Sequence, residues 1–545
     1  MENPSESLFG DLPVIMSQTM SGRTWSRISS LAAPLAGREI WLRGRCHNTR
    51  AKGKCAFLML RQGIATVQAT VFQDDVVTKE MVKYAGSIPK ESIVHVQATI
   101  VASPSAVESA TQKDVELQVH RIFIANKAAP ELPFQLADAA QPYVDEFALA
   151  KESEDGKADE NAFAHVALNT LLNHRTIDLR VPANLSIIRI RSGVMNLFRE
   201  FLTKRGFIEI STPKLLGGQS EGGSECFGID YFGRPAFLAQ SPQLYKQMTS
   251  ACSGMERVFE VGPVFRAENS NTPRHLCEFT GLDMEMAIEE HYFEALHVIG
   301  ELFNFIFTQI NERFAPELEA VNAQYPFEPL KFLSPPLRLS WEEGIALLRE
   351  DGVTKEEQGD LDDLSTPVER RLGHIVRQKY QTDFFMMDKY PKNFRPFYTM
   401  PCPENPDLSN SYDMFIRGQE IVSGAQRIHD IDLLRKRLKE CFEAGTGPDP
   451  THLEWYTNAF AHGALPHAGA GIGLERVVML MLDLPNIRKC SIFPRDPVRP
   501  FVLLLVVSTV APRLRSFSGL CVLCVCTCVS DYVRALEYEE RMCAR

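Results

Sequence analysis

The sequence lacks several features that would assign it to a familiar class of proteins. It contains no run of about 18 apolar residues, the length that a helix needs to cross a bilayer. Its start is not a positively charged stretch followed by an apolar segment, so we expect no secretory signal peptide. No GxxxxGK[ST] pattern occurs, which argues against a P-loop protein. We therefore expect a protein that does not span a membrane.

Cysteines in paired spacing are also absent over most of the chain. Of the 13 cysteines, four lie between Cys521 and Cys528, one is Cys543, and the other eight are scattered. Scattered thiols favour reduced cysteines in the cytoplasm over a disulfide framework. The 545 residues allow several domains of about 150 residues each, and a hydrophobic share of 45% with a charged share of 23% is ordinary for a globular protein. The net charge of −11 argues against a surface that coats nucleic acid as a whole.

A series of short, strand-like runs near the N-terminus predicts a small β-barrel. The five runs are Ile40–Gly44, Cys55–Leu60, Ala65–Phe72, Ser92–Val101 and Val115–Ile124. Between Arg38 and Ala125 there are 12 Lys and Arg against 8 Asp and Glu, and RGRCHNTRAKGK at 43–54 has five basic residues and no acid. A solvated surface loop explains such a run equally well. A basic barrel with an exposed aromatic such as Phe57 also suits single-stranded nucleic acid.

The chain after the barrel predicts a linker and then a larger domain. Residues 126–180 have an acidic, Ala-rich middle, Asp145–Asn161, which we expect to be largely unstructured. The next segment predicts an amphipathic helix with apolar residues at spacings of three and four, namely Ile187, Ile190, Val194, Leu197 and Phe201. FIEIST at 207–212 predicts a strand. No βαβ rhythm follows, so the fold class is α+β, with an antiparallel sheet flanked by helices.

The stretch VFRAENSNTPRHLCEFTGLDME at 264–285 places opposed charges on the two arms of a predicted hairpin, with strands at 257–268 and 277–286. Alternation puts Phe279, Gly281, Asp283 and Glu285 on one face. Cross-strand ion pairs worth under ~1 kcal/mol each would explain such a hairpin if it stood alone. Three further stretches share its mixture of acids, arginines and glycine: SEGGSE at 220–225, SYDMFIRGQEIVSGAQRIHD at 411–430 and GAGIGLERVVML at 469–480. GAGIGLER has the wrong spacing for a dinucleotide fingerprint.

With these stretches the chain resembles the class II aminoacyl-tRNA synthetases, and closely the eukaryotic-type aspartyl-tRNA synthetases. GFIEISTPKL resembles motif 1, FRAENSNTPRHLCEFTGLDMEM motif 2 and GIGLERVVMLMLDL motif 3. The resemblance implies an N-terminal OB-fold anticodon-binding barrel and a class II catalytic domain. It divides the chain into an extension (1–35), the OB-fold domain (36–126), a linker (127–180), the catalytic domain (181–498) and an atypical tail (499–545). It also implies a homodimer formed through motif 1.

The resemblance implies an ATP site and a metal site on the sheet. The implied ATP-binding residues are Arg266, Ala267, Glu268, Arg274, His275, Leu276, Phe279, Glu420, Gly473, Leu474, Glu475 and Arg476. Of these, Arg266, Glu420 and Arg476 are the implied catalytic residues. The guanidinium fork of Arg266 suits a phosphate and a carboxylate. The oxygens of Asp413, Glu420 and Ser423 suit Mg²⁺ that bridges phosphates. Strict alternation puts Ser423 and Glu420 on opposite faces, so the strand must contain a bulge or a strong twist.

The amino-acid and anticodon sites follow from the same resemblance. The implied aspartate-binding residues are Glu221, Gln243, Lys246, Arg266, Asp283, Ser423 and Arg427. The acids suit the substrate ammonium and the cations suit its side-chain carboxylate, and Lys246 is the residue that asparaginyl enzymes typically lack. The implied anticodon-binding residues are Arg50, Phe57, Gln68 and Glu116, where stacking contributes about 1–3 kcal/mol per base.

The implied reaction joins L-aspartate to tRNA(Asp), uses ATP and takes place in the cytoplasm. The resemblance is also compatible with a protein that belongs to a multi-synthetase complex. An asparaginyl or non-discriminating synthetase, or an inactive RNA-binding paralogue, are the alternatives. Two features depart from the family: the first lysine is Lys52, so a lysine-rich N-terminal helix is missing, and the family usually ends near FPRDP. We interpret residues 499–545, which are rich in Val and Cys, as an artefact of the gene model. The CxxCxCxC pattern within them contains no histidine and is weak evidence for a metal site.

Overall fold

The computed structural model of the chain describes residues 7–17, 20–144, 164–218 and 226–499. The acidic stretch Asp145–Asn161, the predicted ligand Glu221 and, apart from Arg499, the predicted tail therefore lie outside the described residues. Among the described residues, no helix is long and apolar enough to span a membrane. All eight cysteines within them are free thiols.

The N-terminal part of the chain is a closed β-barrel. Its elements are β1 (Phe9–Asp11), β2 (Trp25–Ser26), β3 (Glu39–Lys52), β4 (Cys55–Gln62), β5 (Ala65–Phe72), α1 (Lys79–Gly86), β6 (Ile93–Ala102) and β7 (Val115–Asn126). Strand β3 pairs with β4 and β6, β4 pairs with β5, and both β5 and β6 pair with β7, which closes the five long strands into a barrel. Alternate side chains such as Leu58, Leu60 and Val67 fill its core. The predicted barrel is confirmed.

Two details of the barrel differ from the sequence prediction. Most of the basic run 43–54 forms the second half of β3 and the turn to β4, so it is not a separate solvated loop. The sequence predicted only an extension over residues 1–35, without regular structure, yet β1 pairs with β7 and β2 pairs with β3. Strands of two or three residues are too short to produce an alternating pattern, which explains why they were missed.

Short helices occupy the described ends of the predicted linker. They are α2 (Leu136–Ala139), α3 (Leu168–Asn173) and α4 (Arg175–Asp178). Phe134, Leu136, Leu171 and Val181 form a small apolar cluster of their own. The segment that joins the barrel to the second half of the chain is therefore packed at both ends.

The second half of the chain is an eight-stranded sheet flanked by helices. Its helices are α5 (Pro182–Lys204), α6 (Gln243–Cys252), α7 (Phe293–Arg313), α8 (Ala315–Gln324), α9 (Trp341–Glu350), α10 (Thr366–Tyr380), α11 (Ile431–Glu443), α12 (Glu454–Phe460) and α13 (Leu474–Met481). The strands of this half are β8 (Ile208–Glu209), β9 (Leu215–Leu216), β10 (Gly228–Tyr231), β11 (Arg234–Leu238), β12 (Arg257–Phe265), β13 (Glu278–Ala287), β14 (Leu337–Ser340), β15 (Phe384–Asp388), β16 (Ser411–Ile416), β17 (Gln419–Gln426) and β18 (His467–Gly473). Strands β9, β10 and β11 form a separate three-stranded sheet, and the other eight form the large sheet. Short 3₁₀ helices lie at Ile28–Ser30, Ala33–Leu35, Lys392–Phe394, Pro450–Leu453 and Ile487–Cys490.

The strand order of the large sheet is β14-β15-β16-β17-β18-β13-β12-β8. All neighbours are antiparallel except the pairs β14–β15 and β12–β8. Helix α5 buries all five residues of the predicted apolar stripe, and it packs with α7 and α13 on one face of the sheet. The predicted antiparallel sheet and helix are confirmed, whereas FIEIST contributes only the two-residue strand β8.

A β-bulge interrupts the pairing of β16 with β17. Met414 pairs with Val422 and Phe415 pairs with Glu420, so Ile421 has no partner residue on β16. The extra residue places the side chains of Glu420 and Ser423 toward the same cavity. This confirms that the strand departs from strict alternation.

Candidate active site

A cavity of about 430 Å³ lies on the face of the large sheet opposite the apolar helices. Strands β12, β13, β17 and β18 form its floor, and the segments at 266–276 and 394–399 form its walls. It brings together most of the residues that the sequence resemblance implied. Those that line it are Gln243, Arg266, Glu268, Arg274, His275, Leu276, Phe279, Asp283, Glu420, Ser423, Arg427, Gly473, Glu475 and Arg476.

Four of the implied residues do not line the cavity. Leu474 is fully buried in the apolar core at the start of α13, so its side chain does not reach the cavity, and its contact with ATP stays a prediction. Ala267 is also outside the lining set. Lys246 and Asp413 are 1% and 4% exposed and are covered by the ion pairs that they form. Both of these are partners of lining residues, so they lie just behind the cavity wall.

Two buried cations pair with the acids of β13 at one end of the cavity. Lys246 Nζ donates to Asp283 Oδ1 at 2.8 Å and lies 3.7 Å from Glu285 Oε2. Arg427 Nε donates to Glu285 Oε1 at 2.9 Å. Asp283 and Glu285 are two residues apart, so the strand presents both on one face, as the alternation predicted. This end of the cavity therefore offers both signs of charge within one small volume.

Arg266 follows the end of β12 beside the ring of Phe279. Its backbone N–H donates to Cys277 O at 2.9 Å, and its Cζ lies 5.5 Å from the Phe279 ring centroid. Among the described residues its buried Nε atom has no hydrogen-bond partner. A guanidinium that is buried but not fully paired is suited to an anionic ligand, since an unpaired buried donor costs about 1–3 kcal/mol.

The segment between β12 and β13 carries further charges over the cavity. His275 Nε2 lies 3.7 Å from Glu268 Oε2, and burial lowers the pKa of His275. Arg274 Nη1 donates to Thr366 Oγ1 at 3.1 Å, and burial together with the nearby Arg476 lowers its pKa. This segment of the wall is therefore rich in positive charge.

Glu475 has partners of its own. Its carboxylate accepts from Arg191 Nη2 at 2.8 Å and from the Thr280 backbone N–H at 3.0 Å. The carboxylate thus ties α13 to both α5 and β13. This contact makes Glu475 a support for the floor of the cavity.

The opposite end of the cavity is acidic. Burial, reinforced by the charge of Asp413, raises the pKa of Glu420 well above its ordinary range. Burial likewise raises the pKa of Glu369, on α10, to about 7. The Asp413 carboxylate accepts two hydrogen bonds from Arg395, at 2.6 and 3.0 Å. This end therefore contains more carboxylates than the nearest guanidinium, that of Arg395, can neutralise.

Sequence reasoning missed the segment 389–401, which contributes Arg395 and Tyr398 to the cavity. The segment contains no glycine-rich or acidic motif, and it belongs to no regular strand. Its one signal is FRPFYTMP at 394–401, where an arginine stands between aromatic residues that an exposed loop rarely contains. Gln240, just before α6, was missed for the same reason.

A second cavity, of about 510 Å³, lies on the outside of the barrel. Arg50, Phe57 and Gln68 line it, from β3, β4 and β5. Glu116 is outside the lining set but pairs in register with Gln68, and it accepts a hydrogen bond from Ser103 Oγ at 3.2 Å. Three of the four residues implied for the anticodon thus face one groove, and the fourth is adjacent to it.

Comparison with known proteins identifies the family. Residues 167–497 match the family model described as tRNA synthetases class II (D, K and N), and residues 40–125 match an OB-fold nucleic acid binding domain. The chain therefore belongs to the class II tRNA synthetases of this group.

Within this class, the chain is similar in sequence to aspartate–tRNA ligases. It is 49% identical to the cytoplasmic aspartate–tRNA ligase of Homo sapiens over 91% of this chain and 95% of that protein. The solved aspartyl-tRNA synthetase of Entamoeba histolytica is 45% identical, covers 91% of this chain and 96% of its own, and superimposes with a TM-score of 0.80. The asparaginyl-tRNA synthetase of Pyrococcus horikoshii, complexed with asparaginyl-adenylate, is 29% identical, with coverages of 88% and 100% and a TM-score of 0.70.

Proposed function

We propose that this protein is an aspartate–tRNA ligase, which activates L-aspartate with ATP and transfers it to the 3′ end of tRNA(Asp) in cytoplasmic translation. The observation that carries this proposal is the paired charge at one end of the cavity. Lys246 and Arg427 are buried cations, and each is already held by a carboxylate of β13. A ligand with an ammonium and two carboxylates can share these partners, because each of its groups finds an opposite charge there.

The reaction has two steps in this proposal. The aspartate α-carboxylate attacks the α-phosphorus of ATP, which forms aspartyl-adenylate and releases pyrophosphate. A hydroxyl of the terminal ribose of tRNA then attacks the acyl carbon and releases AMP. No side chain acts as a nucleophile, so catalysis rests on positioning and on stabilising charge.

Arg266 and Phe279 are the residues that we assign to the reacting nucleotide. The Phe279 ring is half-buried on the cavity floor, where a purine base can stack on it, and Arg476 can cover the other face of that base. The Arg266 guanidinium, with its unpaired Nε, can donate to the α-phosphate and to the attacking carboxylate. Charge builds on these oxygens during the attack, so these hydrogen bonds strengthen in the transition state.

The acidic end of the cavity fits a divalent cation, which class II synthetases typically use with ATP. Within the described residues no cluster of three His, Cys, Asp or Glu forms a protein-only metal cage. Asp413, Glu420 and Ser423 instead supply two carboxylates and a hydroxyl, which suits Mg²⁺ that takes its remaining ligands from phosphate and water. Bound Mg²⁺ would neutralise charge on the phosphates.

We assign tRNA recognition to the barrel, residues 36–126, and chemistry to residues 181–498. The groove of Arg50, Phe57 and Gln68 offers a cation, an aromatic face and an amide to an unpaired base. We also propose a homodimer through the motif 1 region. Ile208 and Leu215, both in the motif 1 region, are 47% and 49% exposed, so this region offers apolar surface that a partner protomer can cover.

The test is ATP–pyrophosphate exchange with each amino acid separately. We expect aspartate to support exchange at least a hundredfold faster than asparagine at equal concentration. An Arg266→Gln variant, which keeps a polar side chain but loses the fork, should abolish both. Equal rates with both amino acids would indicate a non-discriminating enzyme, and exchange with neither would favour an inactive paralogue.

A further inference from the structure

Arg395 lies in the wall of the cavity, on a short irregular segment at residues 390–397 that we call the arch. A buried aromatic residue stands at each end of this segment. Tyr390, at one foot of the arch, is 2% exposed, and Phe397, at the other, is also 2% exposed. The 3₁₀ helix Lys392–Phe394 lies between them, and Lys392 N donates to Asp407 O at 2.8 Å. The arch is therefore fixed at its ends, and it presents the guanidinium of Arg395 to the acidic end of the cavity.

The guanidinium of Arg395 holds two of the three side chains assigned to the divalent cation. Its Nη1 and Nη2 donate to the two carboxylate oxygens of Asp413, at 3.0 and 2.6 Å, and Nη1 also donates to Ser423 Oγ at 3.0 Å. Its Cζ stacks 4.0 Å from the centroid of the Tyr390 ring. A metal ion that binds this carboxylate would therefore lie against a guanidinium that already holds it, and the two positive charges would repel each other.

The charge balance at this end leaves room for a further cation. Arg395 and Asp413 form a buried ion pair, with side chains that are 10% and 5% exposed. Glu420 adds a second carboxylate to this end of the cavity, and Arg476 is a further guanidinium in the cavity lining. Arg395 therefore supplies part of the positive charge that Asp413 and Glu420 require.

We propose that Arg395 is an internal counter-ion of the metal ligands, and that its guanidinium competes with the divalent cation for Asp413 and Ser423. Its hydrogen bonds hold both of these side chains. When ATP enters, its phosphates offer the guanidinium an alternative anion, so nucleotide and metal bind together rather than separately. This inference relies on the proposed function only for the identity of the metal ligands.

The test measures binding of Mn²⁺ to the full-length protein without nucleotide or aspartate, by the electron paramagnetic resonance signal of the free ion. We expect weak binding to the wild type and binding at least tenfold tighter to Arg395→Gln, which removes the competing charge but keeps a donor. Arg395→Lys should fall between them, because an ammonium cannot bind both oxygens of Asp413 as a fork does. The matched control is Arg338→Gln, since Arg338 Nη1 donates to the buried Asp388 at 3.0 Å away from the cavity, and its Mn²⁺ affinity should equal that of the wild type.

The opposite results would overturn the proposal. Equal or weaker Mn²⁺ binding by Arg395→Gln would show that Arg395 supports the metal ligands and does not compete with the metal ion for them. If Arg395→Gln does not fold, Arg395→Lys decides the question, because wild-type affinity in that variant contradicts competition. A melting temperature that rises more with Mg²⁺ in Arg395→Gln than in the wild type is the second expected readout. Aspartate-dependent exchange by the wild type tests the proposed function separately, so the two failures are distinguishable.

Discussion

Lys246 and Asp283 form a salt bridge directly beneath the cavity floor, with Nζ 2.8 Å from Oδ1. A second hydrogen bond from Nζ to Ala470 O, also at 2.8 Å, fixes the ammonium between strands β13 and β18. The lysine therefore has two roles that an experiment must separate. It neutralises a buried acid, and it is the cation that we assign to the side chain of aspartate.

The first prediction concerns this lysine. Lys246→Leu should lose about 2–5 kcal/mol of aspartate recognition, because the substrate carboxylate would be buried and underpaired. The measurement is the KM for aspartate in ATP–pyrophosphate exchange, with the free energy of unfolding recorded in parallel. The control is Lys214→Leu, since Lys214 Nζ pairs with the buried Glu260 at 2.6 Å outside the cavity. Unchanged aspartate-dependent exchange in Lys246→Leu would remove this residue from the site.

The second prediction separates the barrel from the catalytic sheet. Phe57→Ala should reduce tRNA charging by the equivalent of about 1–3 kcal/mol, because one stacked base loses its platform, while exchange without tRNA stays intact. The control is Phe72→Ala, since the Phe72 ring lies 6.1 Å from that of Phe57 but does not line the groove. A parallel loss of both activities in Phe57→Ala would mean that the ring only supports the fold.

The third prediction concerns Glu91, a buried carboxylate at the junction of the barrel with α4 and α5. It accepts from Arg61 Nη2 at 2.6 and 2.7 Å and from Arg180 Nη1 at 3.2 Å. Burial alone would raise the pKa of Glu91, but His47 and the two arginines lower it to about 2. Glu91→Gln should cost about 3–5 kcal/mol of unfolding free energy, because Arg61 stays buried without its partner.

Urea denaturation at pH 7 measures this cost. Glu108→Gln is the control, because its salt bridge to Lys113, at 2.7 Å, is exposed and should be worth less than ~1 kcal/mol. Equal shifts in the two variants would show that the Glu91 cluster is no stronger than a surface pair.

The fourth prediction is a dependence of stability on pH at His467. Burial lowers the pKa of this fully buried imidazole to about 4, whereas an unfolded histidine titrates near pH 6.5. Both states are neutral at pH 7.5, and below about pH 6.5 the unfolded state binds a proton first. Stability is therefore lost as the pH falls from about 6.5 to 4, by on the order of 2–3 kcal/mol from this group.

Unfolding free energies at pH 7.5, 6.0 and 5.0 test it. His467→Asn keeps a donor for Leu465 O, which lies 2.8 Å from Nδ1, and should flatten this slope. His462→Asn changes an exposed histidine nearby and should leave the slope unchanged. A slope that is the same in all three proteins would assign the acid sensitivity to other groups.

Regular alternation and family motifs predicted most of the fold and of the cavity. Leu58, Leu60 and Val67 are buried, and less buried residues such as Met59 and Gln68 alternate with them, so the barrel strands could be predicted from the sequence. Asp283 and Glu285 share a face for the same reason. The charge pairs that join distant segments were not predictable, because Lys246–Asp283 and Arg61–Glu91 depend on packing between elements.

Arg395 shows most clearly where sequence reasoning stops. Its position depends on Tyr390 and Phe397, which fix an irregular segment that no periodicity describes. Its partner Asp413 lies in the charged stretch at 411–430, but nothing in that stretch indicated that Arg395 would be the cation bound to it. The role of such a loop residue can be inferred only when the positions of the surrounding charged groups are known.

The unpaired Ile421 has a consequence for how this chain tolerates change. Glu420 and Ser423 are three residues apart, a separation that would turn one of them away from the cavity in a regular strand. Deleting Ile421 would leave Glu420 and Ser423 two residues apart, the separation that keeps both on one face of a regular strand. The damaging change is instead a shift of register that pairs Ile421 with β16 and keeps all residues, because it would send either the acid or the hydroxyl into the apolar layer beneath α5. An acid followed at the third position by a hydroxyl, within an otherwise apolar strand, becomes a mark by which such a site can be sought in other sequences.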